Sequence, residues 1–122
     1  MKNVYFGLFK VREDLIQNFR CGKGVVEKVD LLFASYSEGD YDGDAFVLYK
    51  QDGKLYEING SHCSCYGLED QWHPEETSWA AIHQRFYLNS GLSYQHESDA
   101  IQALKELITE NHEINNEDNE NR

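Results

Sequence analysis

Asp52 and Gly53 constrain this chain more than any other pair, because they stand between two runs of strand-forming residues, AFVLYKQ and KLYEING. A two-residue hairpin needs positive φ at both central positions to match the right-handed twist of its strands, and Asp-Gly is a favoured pair there. The register follows from the turn. Tyr49 faces Tyr56 and Val47 faces Ile58 on one side, while Leu48 faces Glu57 and Lys50 faces Leu55 on the other. The first of these faces is expected to be the buried one, in a hairpin spanning 44–59. Asn59-Gly60-Ser61 is then expected to break the second strand.

Beyond that break the chain runs into His62-Cys63-Ser64-Cys65, continues through Tyr66 to Trp72 and His73, and reaches Pro74-Glu75-Glu76-Thr77-Ser78. That last segment predicts a helix start at Thr77 or Ser78, since acids in or before a first turn suit the helix dipole. Trp79, Ile82, His83 and Phe86 share one face of this helix. Upstream, Val4 to Phe9 reads as a strand, Arg12 to Arg20 as a helix burying Leu15, Ile16 and Phe19, and Val29 to Tyr36 as a central strand. Downstream, Ser98 caps a last helix whose stripe is Ile101, Leu104, Leu107 and Ile108. From Glu110 onward acids and asparagines dominate, so residues 110–122 are expected to form a disordered acidic tail beside a single domain over 1–109.

These elements predict an α+β domain in which a mainly antiparallel sheet of three or four strands is covered by two or three helices on one face. The 122 residues, 40% of them hydrophobic, suit one core. Against 11 Lys and Arg stand 22 Asp and Glu, a formal charge of -11. Such a surface repels nucleic acid and anionic membrane and draws basic partners or cations. No apolar run approaches membrane-spanning length, the N-terminus lacks a secretory pattern, and three cysteines make a poor disulfide framework. A reducing cytoplasm is the expected location.

Four groups of residues bear on chemistry. His62, Cys63, Cys65 and His73 have the ligand inventory of a zinc site, but one residue between the cysteines is tight for a zinc knuckle, and no second cysteine pair follows. The competing reading is small buried cysteines and a turn-stabilising histidine, with no cofactor. A cysteine nucleophile at 63 or 65 is opposed by Glu69, Asp70, Glu75 and Glu76, which would raise a thiol pKa. Glu38, Asp40, Asp42 and Asp44 alternate as in a calcium loop, yet Ala45 and Gln51 occupy the positions where an EF-hand needs glycine and a bidentate glutamate. The fourth feature is the acid itself: the Glu38 to Asp44 loop, the Glu69 to Glu76 segment and the tail form a candidate surface for a basic groove, with Glu38, Asp40, Asp42, Asp44, Glu69 and Asp70 as the candidate contacts.

The run NGSHCSCYGLEDQWHPEETS, preceded by GDAFVLYKQDGKLYEING, resembles a family of small bacteriophage and prophage proteins sharing a Gly-(Gly/Ser)-His-Cys-Ser-Cys-Tyr-Gly-Leu-Glu core. The resemblance covers roughly residues 30 to 88 and marks His62, Cys63, Cys65, Tyr66, Gly67, Glu69 and Trp72 without giving any of them a role. It implies a phage origin and action inside a bacterial host cell. The expected function is association with a basic, nucleic-acid-binding host protein, as an inhibitor of defence or transcription, without turnover, nucleic acid or membrane contact. The alternative is a metal-binding protein using His62, Cys63, Cys65 and His73 in a structural or catalytic site.

Overall fold

The structure, a computed structural model, describes residues 3–37, 43–63, 67–88 and 98–120. Strand β1 (Tyr5–Gly7) leads into helices α1 (Arg12–Phe19) and α2 (Lys23–Glu27). The meander β2 (Asp30–Tyr36), β3 (Gly43–Gln51) and β4 (Lys54–His62) follows, and then the short strand β5 (Glu75–Thr77). Helix α3 (Trp79–Ile82) continues into a π-helical turn (His83–Leu88), and α4 (Ser98–Glu120) closes the chain. The five strands form one open sheet in sequence order, with β1 parallel to β2 and every other neighbour antiparallel. The fold is α+β.

The hairpin is as the turn chemistry requires. Asp52 and Gly53 have φ of 55° and 79°, and Tyr49↔Tyr56, Val47↔Ile58, Leu48↔Glu57 and Lys50↔Leu55 are cross-strand partners. A Cβ on Gly53 would meet nothing within 4 Å, so Gly53→Ala isolates the conformational cost of positive φ. It should destabilise the domain by about 1 kcal/mol in a denaturant melt.

Helices cover both faces of the sheet rather than one. Phe9, Leu15, Phe19 and Val26 pack with Ala34, Val47, Tyr49 and Ile58 on the first face. On the second, Trp79, Ile82, Leu104 and Ile108 pack with Phe33, Phe46, Leu48 and Leu55. The physical reason lies in LLFASY and AFVLY, near-continuous apolar runs that leave neither face of β2 and β3 fit for water. Trp79 and Leu104 therefore sit on the face away from Val47 and Tyr49, while Phe19 packs with those two. A register shift between Leu31 and Phe33 turns Leu32 and Phe33 together toward α4.

Two boundaries and one element differ from expectation. Strand β4 does not stop at Asn59-Gly60-Ser61 but runs on to His62, because β3 extends to Gly43 and supplies a ladder for every one of these residues. Glu75-Glu76-Thr77 is an edge strand paired with Leu55-Tyr56-Glu57 rather than a helix start. Ser78 is the N-cap, its hydroxyl accepting from the Ala81 amide at 3.1 Å. Helix α2 was not anticipated. It is tied to α1 by Arg12, whose Nη1 donates to the carbonyls of Val26 and Val29 at 2.6 and 3.1 Å.

The α4 backbone continues to Glu120, through the stretch expected as an acidic tail, and Ile108 is the last fully buried side chain described on it. Phe86 lies outside the residues whose side chains are described. No helix among the described residues is long and apolar enough to cross a membrane.

Candidate functional site at the His62 end of the sheet

The β3–β4 ladder brings together two motifs that are separate in sequence. Gly43 pairs with His62 and Asp44 with Ser61, so the base of the acidic 38–44 segment lies beside the base of the His-Cys cluster. Ser37 closes the same corner: its amide donates to the Asp44 carbonyl at 2.9 Å, and its hydroxyl accepts from the Asp44 amide at 2.8 Å. Glu38, Asp40, Asp42 and Cys65 are outside the described residues.

Gln71 fastens the returning chain. Its Oε1 accepts from the Ser61 amide at 2.8 Å, and its Nε2 donates to the carbonyls of Ser61 and Gly67, each at 2.7 Å. One side-chain amide thus continues the ladder where β5 no longer reaches. Gly60 is the place of closest approach: a Cβ there would sit 3.1 Å from Leu68 Cδ2, 3.4 Å from Gln71 Oε1 and 3.5 Å from Phe19 Cε1. The glycine that reads as a strand breaker is instead the contact that lets the 67–72 segment lie flat on the sheet. Leu68 is buried beneath it, and Trp72 stacks parallel to Tyr49 at 6.1 Å and edge-on to Phe19 at 5.2 Å.

Fastened this way, the turn holds Glu69 and Asp70 beside the strand end. Asp70 has a φ of 64°, a left-handed conformation that Asp tolerates in turns. Hydrogen bonds from the backbone amides of Glu69 and Gly67, the latter at 3.2 Å, hold the Glu69 carboxyl below its ordinary value, with Arg20 adding a smaller favourable charge. Its negative charge is therefore secured at neutral pH. Tyr36 beneath it is pushed up, first by burial and then by the Glu69 charge.

His62 is a packing group. Its ring stands edge-on to Tyr36 at 5.2 Å and 90°. It also covers Gly43, where a Cβ would lie 2.4 Å from His62 Nε2. An aromatic ring laid over a cross-strand glycine covers backbone that would otherwise be open. Cys63 and Cys21 are thiols, not half-cystines. Burial pushes the Cys21 thiol up, which keeps it protonated and unreactive. His73 is exposed, and the described residues contain no group of three or more His, Cys, Asp or Glu able to hold a metal ion.

The structure also contains a buried charge that the sequence did not signal. Glu57 is 4% exposed, and it accepts from Arg85 Nη2 and from Asn59 Nδ2, the latter at 2.8 Å. Burial alone would raise its pKa, but hydrogen bonds from Arg85, Asn59 and Thr77 outweigh that and bring it below the ordinary 4.5. A carboxyl with a depressed folded pKa contributes stability that is intact above the unfolded value and is lost as pH falls through the folded value. Denaturant melts at acid pH should therefore show a loss below about pH 4.5 that Glu57→Gln removes, while both proteins respond alike above it. An unchanged acid dependence in the variant would assign the loss to other carboxyls.

Comparison with family models, with curated proteins and with solved structures finds no match for this chain.

Proposed function

We propose that this protein works by association, presenting the acidic His62 end of its sheet to a basic protein of a bacterial host, as a phage-encoded factor of the kind its His62–Glu69 signature implies. The observation that carries the reading is the register of β3 and β4, with Gln71 as the bridge. Asp44 lies opposite Ser61, Ser61 is held by Gln71, and Gln71 adjoins Asp70 and Glu69. Acids from two distant segments are thereby carried at one end of the sheet, Asp44 by β3 and Glu69 and Asp70 by the turn that Gln71 fastens. Carboxylates gathered at one end of a sheet complement the Lys and Arg groove of a protein whose own ligand is a polyanion.

No turnover is part of this reading. The thiol whose titration is perturbed, Cys21, is held in its inert form, and His62 is used in packing. Capture from bacterial lysate on the immobilised full chain tests the proposal. Basic proteins should bind at low salt and elute between about 0.1 M and 1 M, where the Debye length contracts from about 10 Å to about 3 Å. Recovery of no basic protein, or of one whose retention ignores salt, would overturn it.

A further inference from the structure

We infer that the apolar cleft between the β1–β2 edge and α4 is a second docking point for the same basic partner, taking apolar side chains from an amphipathic helical segment. The inference rests on the basic-partner reading and adds where, besides the acidic end of the sheet, such a partner engages.

The cleft has a volume of about 380 Å³, at the lower end of the roughly 300–1,000 Å³ usual for ligand pockets. Val4, Phe6, Leu32, Ala103 and Leu107 give it apolar walls, and Glu106 stands in its lining. The cleft lies at the register shift in β2, where Leu32 and Phe33 both pack on the α4 side and line it. Phe6, Leu32, Ala103 and Leu107 remain only half-buried, so filling the cleft would remove apolar surface from water.

Two observations say what fills it. The first concerns the sheet edge. Val4 O accepts from the Ala34 amide at 2.8 Å, and the Leu8 amide donates to Tyr36 O at 2.9 Å, so the amide and carbonyl of Tyr5 point outward from the sheet. Both are occupied by the Asn3 side chain, which donates to Tyr5 O at 2.6 Å and accepts from Tyr5 N at 3.2 Å. An added strand finds the Tyr5 amide and carbonyl already taken, which favours entry by side chains over strand addition. The second is charge. Glu106 on the cleft and Glu110 one turn further along α4, with Lys105 as the single cation beside them, leave the local balance negative next to an apolar hole, in a chain of net charge -11. That pairing matches a helix with Leu-type residues on one stripe and Lys or Arg flanking it.

The probe is a fluorescein-labelled helical peptide with leucine at i, i+3, i+4 and i+7 and lysine elsewhere, compared with a second in which every leucine is serine. Burying one leucine multiplies affinity by a factor of roughly ten or more. The leucine peptide should bind the full chain at least about tenfold more tightly than the serine peptide, and Ala103→Phe, which fills the cleft, should abolish the difference. Glu106→Lys should weaken the leucine peptide while leaving the melt unchanged. Amide NMR shifts in the unaltered protein give a readout independent of variant folding, and the leucine peptide should move Phe6, Leu32, Ala103 and Leu107.

Equal affinity for the two peptides, or shifts confined to the acidic end at Asp44 and Glu69, would overturn the cleft while leaving the basic-partner reading intact. Leucine-dependent binding at the cleft that ignores Asp44→Asn, Glu69→Gln and Asp70→Asn would support the cleft and count against the acidic end. Self-association through the cleft at the expense of peptide binding would overturn the inference.

Discussion

Gly7→Ala should destabilise this domain by about 3 kcal/mol or more, although it adds only one methyl group. Gly7 has a φ of 67°, and a Cβ built there lies 2.0 Å from the Tyr36 carbonyl oxygen. That oxygen accepts the Leu8 amide at 2.9 Å and anchors the end of β1 to β2. The methyl group has no flexible neighbour to push aside, because its obstacle is backbone. Relief requires β1 to leave the sheet, and Phe6 then loses its stack on Phe33 at 5.4 Å while Phe9 loses its place against Tyr36 at 5.2 Å. Gly24 in α2 is the control. A Cβ there meets nothing within 4 Å, and Gly24→Ala should be neutral or stabilise by up to about 1 kcal/mol, since alanine is the better helix former. Denaturant melts should place Gly7→Ala well below the unaltered protein and Gly24→Ala at or above it, and similar midpoints for the two variants would mean that β1 is not docked as described.

Trp72→Ala should cost about 3 kcal/mol, whereas Trp72→Phe should cost about 1 kcal/mol. The indole lies between Tyr49 and Phe19, and its Nε1 has no hydrogen-bond partner among the described residues. Its contribution is therefore contact area, most of which a phenyl ring retains. Removing the ring altogether opens a void beside Leu68 and frees the segment that Gln71 ties to Ser61. A phenylalanine variant as unstable as the alanine one would show that the indole N–H has a role of its own. Trp72→Ala should also weaken any ligand of the acidic end of the sheet, because Glu69 and Asp70 are carried by the same segment.

Where the local chemistry had a single solution, the sequence was sufficient. Asp52-Gly53 admits one turn type, and that turn alone sets the whole β3–β4 register. Helix α1 and the buried stripe of α4 were legible for a similar reason, since Leu15 and Phe19, and Leu104 and Ile108, repeat at helical spacing. What failed was set by distant parts of the chain. Glu57 reads as a solvent-facing strand residue until Arg85, far along the chain, is known to cover it. Gly60 reads as a strand end until β3 is seen to extend beside it, and Glu75-Glu76-Thr77 carries the acids of a helix start while being recruited as an edge strand by Leu55-Tyr56-Glu57. The candidate site was legible only in pieces. Both the acidic loop and the His-Cys cluster stood out, but their adjacency depends on Gly43↔His62 and on a glutamine that nothing in its local sequence distinguishes.

Paired capture from one bacterial lysate tests the central claim most directly. It sets the unaltered full chain beside a variant carrying Asp44→Asn, Glu69→Gln and Asp70→Asn, with bound proteins quantified by mass spectrometry. Three neutralised carboxylates at contact distance from a basic groove should lower affinity by roughly tenfold or more. The account predicts that basic proteins enriched on the unaltered chain are lost from the variant while the two melt alike. The same basic proteins retained at equal levels on both, or none enriched on either, would contradict it.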